Sequence, residues 1–153
     1  PELLVFGSGP VASALLRIAV SFGFSLVLCG EIEHAIADRK YASLVEMDSA
    51  VPAAVDRYVV VATQGKGDVT TLTAALKMAV RYIAFVGSRR KFASYKDKLT
   101  NAGVSATKID AVRSPAGVHI NAVTPDEIAL SIMAEIIQTR RTAGQQRATD
   151  DAC

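Results

Sequence analysis

The chain has 153 residues, 50% of them hydrophobic and 21% charged, and a formal net charge of +2. This is enough for one domain with a substantial core, too short for a second full domain and too weakly basic to make nucleic acid an expected partner. No apolar run nears the about 20 residues that span a bilayer, no leader pattern opens the chain, and Cys29 and Cys153 show neither metal-ligand nor disulfide spacing, so a cytoplasmic protein without a metal site is expected.

The first predicted element is the apolar run Leu3-Leu4-Val5-Phe6, which enters Gly7-Ser8-Gly9-Pro10-Val11-Ala12 and leaves in a helical pattern. Gly7 and Gly9 take the first two places of a dinucleotide-type G-x-G-x-x-G/A turn and Ala12 the small third place. Without side chains, the two glycines let the backbone bend sharply and approach a phosphate, and the helix start offers its N–H groups to an anion. Val11, Ala14, Leu15, Ile18, Ala19 and Phe22 recur at helical spacing, with Arg17 facing water and Gly23 ending the helix. Ser25 to Cys29 is a second strand, and its unbroken apolarity predicts a parallel sheet covered on both faces. Glu31 follows Gly9 by 22 positions, close to the about 20 of an acid that binds ribose hydroxyls, although Cys29 and Gly30 occupy the usual strand-end place; an ordinary surface acid is the alternative.

From Ile32 to Ala54 the pattern is weaker, and Ala42 to Glu46 is read as a short third strand. Arg57 to Ala62 is a strong strand that runs into Thr63-Gln64-Gly65-Lys66-Gly67-Asp68, a second glycine loop ahead of an amphipathic helix. There Lys66 is placed to meet a phosphate and Asp68 to cap the helix; the alternative is an ordinary connecting turn. Tyr82 to Val86 forms the next strand, followed by Gly87-Ser88-Arg89-Arg90-Lys91 and a basic helix carrying Phe92, Tyr95 and Leu99. Arginines at a helix start oppose its dipole, which a bound anion would offset; a solvated basic face is the alternative. After a turn at Asn101-Ala102-Gly103, an irregular stretch leads to Ser114-Pro115-Ala116-Gly117, a tight turn with Gly117 at positive φ. Thr124-Pro125-Asp126-Glu127 combines an N-cap threonine, a proline at the first helical position and a glutamate three residues after the cap. It opens a long helix with Ile128, Ile132, Met133, Ile136 and Ile137 on its apolar face. The whole predicts a single Rossmann-like, doubly wound α/β domain over residues 1–141, with a mainly parallel sheet and helices on both faces. A polar tail, 142–153, is expected to be disordered. The abrupt start at a strand leaves open that this is one piece of a longer protein.

Taken in order, Ala62 to Asp68, Val86 to Lys91, Ser114 to Gly117 and Thr124 to Ile132 resemble the C-terminal Rossmann-like domain of xanthine dehydrogenase accessory factors, the XdhC/CoxI type. The likeness runs to about Arg141. It implies a chaperone-like cytoplasmic maturation factor that binds molybdenum cofactor (molybdopterin), helps it gain its terminal sulfur and passes it to a molybdenum hydroxylase of the xanthine dehydrogenase or CO dehydrogenase type. It also implies a cysteine desulfurase as a further partner, and a homodimer is left open. Members often carry histidine where this chain has Pro10, Gln64 and Lys66, an acidic pair at Gly30-Glu31 and cysteine at Ser114. What remains of the pattern favours phosphate or nucleotide binding over cysteine- or histidine-dependent chemistry.

The expected cofactor-binding residues are therefore Gly7, Ser8, Gly9, Pro10, Val11, Glu31, Thr63, Gln64, Gly65, Lys66, Gly67, Asp68, Gly87, Ser88, Arg89 and Arg90, around one crevice between three glycine loops. Molybdenum cofactor and NAD(P) are not separated by the residues. No catalytic residue is assigned: His34 and His119 read as solvated or structural, and Cys29 as a buried strand residue. An NAD(P)-dependent oxidoreductase and a nucleotide-sensing regulatory domain stay open as alternatives.

Overall fold

A computed structural model describes residues 1–48 and 56–150. Five strands, β1 (Glu2–Phe6), β2 (Ser25–Cys29), β3 (Arg39–Tyr41), β4 (Arg57–Val61) and β5 (Tyr82–Phe85), form one sheet in the order β3-β2-β1-β4-β5. Every pairing is parallel, with Leu3 opposite Leu26 and Tyr58, and Phe6 opposite Cys29 and Val61. The doubly wound α/β fold expected from the sequence is thus the fold observed.

The unbroken apolarity of the strands has a direct cause in the layering. Leu3 and Val5 point into one core with α1 (Pro10–Ala19) and α7 (Pro125–Asp150), where Leu15, Leu16, Ile132 and Met133 meet. Leu4 and Phe6 point into the other, against Leu72 and Leu76 of α3 (Asp68–Lys77), and with Leu99 and Ile109 of α5 (Lys96–Asn101) and α6 (Ala106–Asp110). Both faces are buried, and each such side chain contributes about 1.5–3 kcal/mol by leaving water. At the amino end of the sheet the buried Glu2 carboxylate accepts from Arg57 of β4 and Arg39 of β3, tying three strands to one acid.

Helix ends follow their local signals. Gly23 stops the α1 region at φ +71, as glycine does after a helix. The capping box before α7 forms fully: Glu127 accepts from the backbone N–H of Thr124 at 2.9 Å, and Thr124 Oγ1 accepts from that of Glu127 at 3.3 Å. Arg17, exposed as expected, reaches across to Asp126 at 2.6 Å, a surface pair worth at most about 1 kcal/mol.

Several local expectations are corrected. The third strand lies at Arg39–Tyr41, while Leu44–Asp48 is helix α2. Ser43 and Glu46 form a capping box there, with Glu46 N–H donating to Ser43 Oγ at 3.3 Å and Ala42 N–H to the Glu46 carboxylate at 2.8 Å. The basic helix divides into α4 (Arg89–Ala93) and α5 at Ser94–Tyr95. The irregular stretch before Ser114 contains α6, and Arg113 pairs with Ala84 as a parallel bridge at the sheet edge. Phe22 is exposed, and Ala12 and Leu16 complete the buried face of α1 instead. The helix α7 runs from the capping box to Asp150. Cys153 and the rest of 151–153 lie outside the described residues.

Candidate functional site

The sheet order reverses between β1 and β4, so the loops leaving their carboxyl ends flank the crevice where doubly wound domains place ligands. The first loop is held by backbone contacts. Gly7 has φ +137, and a Cβ there would lie 2.2 Å from the Ala62 carbonyl oxygen. Gly30 has φ +154, and a Cβ there would lie 2.3 Å from the Gly7 carbonyl oxygen. The ends of β2, β1 and β4 are therefore stacked backbone on backbone, and Ser8 Oγ adds a bond from Glu31 N–H at 2.9 Å. Gly9 is the N-cap of α1, with no side-chain cap and Pro10 as the first helical residue. The first intrahelical bond is Ser13 N–H to the Gly9 carbonyl at 3.1 Å, so the N–H groups of Val11 and Ala12 precede it.

The second loop is organised by Asp68. Its Oδ1 accepts from Gly65 N–H at 2.9 Å and from the Thr63 hydroxyl; its Oδ2 accepts from Tyr95 OH at 2.9 Å and pairs with Lys91 Nζ at 2.9 Å. Burial pushes this carboxyl up, but the bonds from Thr63, Lys91, Tyr95 and Gly65 outweigh that and hold it below the usual carboxylate range. Asp68 thus shapes the loop rather than facing the crevice. Gln64 sits at φ +54, and its carboxamide lies over Gly9, whose added Cβ would meet it at 2.6 Å. Asp68→Asn is expected to lower stability by about 1.5–3 kcal/mol, because the part-buried donors lose a buried, charged acceptor. A folded pKa below the unfolded one means this contribution is complete above about pH 4 and is lost as pH falls through the folded value. Urea midpoints at neutral and acidic pH test it: the difference between wild type and variant should shrink on acidification.

Gly7, Ser8, Gly9, Thr63, Gln64 and Lys66 line one cavity of about 240 Å³, together with Gly30, Ser43 and Thr71. Six of the expected binding residues are thereby brought together. Pro10, Val11, Gly65, Gly67 and Asp68 are not part of its lining, and neither is Glu31, which is exposed. Ser88 caps α4 by accepting from Lys91 N–H at 3.1 Å, and Arg90 is exposed. Gly87 and Arg89 line a separate, larger cavity of about 900 Å³, so the three loops define two cavities where one crevice was expected. Sequence reading missed Ser43, which the Ser-x-x-Glu cap signal could have placed at a helix start beside the crevice. It also missed the large cavity, whose walls come from distant segments. Cys29 borders the smaller cavity, but burial, with Glu46 nearby, pushes its thiol up to about 11, so it stays protonated at neutral pH.

Fold and site together define a Rossmann-type domain with a glycine-lined crevice at its switch point. The chain belongs to the XdhC Rossmann domain family, whose model matches residues 3–136. It is 27% identical over 152 residues to the uncharacterized protein YqeB of Escherichia coli (strain K12), covering 94% of this chain and 28% of that protein. It is also 27% identical over 150 residues to a protein of Bacillus subtilis (strain 168) named as a probable xanthine dehydrogenase subunit, covering 92% of this chain and 43% of that one. A crystal structure described as a xanthine dehydrogenase from Bacillus halodurans superposes with a TM-score of 0.73 at 28% identity, covering 92% of this chain and 43% of that chain. The chain thus spans less than half the length of each of these relatives.

Proposed function

We propose that this domain is the cofactor-binding part of an accessory factor for a molybdenum hydroxylase of the xanthine dehydrogenase or CO dehydrogenase type. It takes molybdenum cofactor by its phosphate end and hands it on, acting in the cytoplasm as a chaperone rather than as a catalyst. The observation that carries the reading is the cavity of about 240 Å³ at the switch point, where the Gly7-Ser8-Gly9 turn lines one wall together with Lys66, Ser43 and Thr63. Backbone donors, a lysine and a hydroxyl are the partners a phosphate needs. The volume suits the phosphate end and leaves the remainder of the cofactor outside. When bound, the cofactor supplies the molybdenum chemistry used by the client; this chain's residues bind and orient it. The protonated state of Cys29 favours a holding role over a sulfur-relaying one. Kinship with proteins named for xanthine dehydrogenase supports the choice of client.

The test is a thermal-shift panel with molybdenum cofactor, NAD, NADP and AMP, since a ligand that binds the folded state alone raises the melting temperature. Stabilisation by molybdenum cofactor, by about 2.7 kcal/mol at a hundredfold excess over Kd, is expected. Response to the nicotinamide nucleotides with none to molybdenum cofactor would overturn the reading and leave a nucleotide-binding oxidoreductase or sensor domain.

A further inference from the structure

We infer that the larger cavity is a second ligand site, shaped for a small aromatic or heteroaromatic oxyanion, a carboxylate or phosphate on a flat apolar body. It is separate from the glycine-turn cavity: it opens beyond the carboxyl end of β5, between Gly87 and Arg89 on one side and the 113–122 segment on the other.

Its far wall is fixed. Arg113 N–H donates to the Ile83 carbonyl, and the Arg113 carbonyl accepts from Phe85 N–H, both at 2.9 Å, which adds this segment to the sheet edge. Further along, Gly117 N–H donates to the Glu135 carboxylate at 2.9 Å, and Val118 N–H to the Ser131 carbonyl at 3.2 Å. Gly117, at φ +94, lies so close to α7 that a Cβ would come within 2.3 Å of Ser131 Oγ. A loop pressed this closely onto a helix keeps its shape without a ligand, which spares a ligand the ordering cost.

The charges in the cavity are unevenly used. Asp110 is engaged by Lys96 at 3.0 Å, and Glu135 accepts from Tyr82 OH at 2.6 Å as well as from Gly117. Arg89 and Arg113 make no ion pair among the described residues, and both border the cavity with His119. Two open guanidinium forks beside satisfied carboxylates select an oxyanion. Val86, Pro115, Val118 and Ile128 add apolar wall, and about 900 Å³ falls within the range of pockets that enclose small organic molecules.

The experiment uses AMP, a heteroaromatic phosphate, and nicotinate, a heteroaromatic carboxylate, as probes of the 15N-labelled chain by NMR. Saturable shifts at the amides of Gly117, Val118 and Asn121 are expected with at least one probe, and the responding probe identifies the acid group. Arg89→Gln combined with Arg113→Gln should weaken that binding about tenfold or more. The spectrum elsewhere should be retained, since it is the backbone of Arg113, not its side chain, that pairs with β5. Absence of shifts there with both probes, shifts restricted to the Gly7 to Gly9 turn, or unchanged affinity in the double variant would each overturn the inference. A failure here leaves the glycine-turn reading standing, because that reading is decided by molybdenum cofactor and by the other set of amides.

Discussion

Gly9→Asp is expected to abolish binding of the phosphate-bearing cofactor while the domain stays folded. Gly9 has φ −94, a conformation open to any residue, and it is the N-cap of α1 without a side-chain cap. Aspartate is among the best N-cap residues and would accept from the N–H groups of the first turn. Those of Val11 and Ala12 are the donors a phosphate would use. The same carboxylate would repel the phosphate, so affinity should fall by more than about a hundredfold. The cost to the fold is small, because the new Cβ meets the Gln64 carboxamide, the movable end of a flexible side chain. Calorimetric titration with molybdenum cofactor and a thermal melt of the same preparation check both halves. Undiminished affinity would remove the glycine turn from the site.

Gly7→Ala should have the opposite profile, a loss of the fold itself. A Cβ at this position would lie 2.2 Å from the Ala62 carbonyl oxygen and 2.7 Å from its carbon, at φ +137. Neither the backbone of β4 nor that of β1 can yield without breaking the ladder between them, so overpacking and dihedral strain add, at about 3–5 kcal/mol. That is a large share of the about 5–15 kcal/mol by which domains are stable. Gly23→Ala is the control: φ is also positive, at +71, but nothing lies within 4 Å, so about 1 kcal/mol is expected. Urea midpoints of the two variants should differ widely. Equal midpoints would show that the stacked strand ends can move apart to admit a methyl group.

The contrast between these glycines marks what could be read from residues alone. The turn Gly7-Ser8-Gly9 was legible because a phosphate approach and a backbone approach ask for the same residue. The sequence does not say that Gly7 answers to Ala62 and Gly9 to the crevice. Four of the five strands, β1, β2, β4 and β5, were legible because burial on both faces leaves continuous apolar runs such as Leu26-Val27-Leu28. β3 was not, since Arg39-Lys40-Tyr41 has no apolar pattern and owes its place to β2 and to the ion pair of Arg39 with Glu2. Asp68 was expected at the crevice, but its role depends on Lys91 and Tyr95, over 20 positions away. The large cavity combines Gly87, Arg113 and Glu135, a grouping that exists only once the chain has folded.

The stacking of Gly30 on Gly7 and of Gly7 on Ala62 also bears on how cargo would come and go. A floor made of three backbones packed in series has little give, so opening the cleft by spreading the strands would mean unfolding the sheet edge by edge. The Gln64 carboxamide over Gly9 is held by no such contact and can swing by side-chain rotation. On the proposed reading, loading and release at this turn would need only that side chain to turn aside, a motion on the nanosecond scale of exposed rotamers. If the domain carries a cofactor as proposed, it would keep its shape between full and empty, and a client would have to recognise the cargo itself.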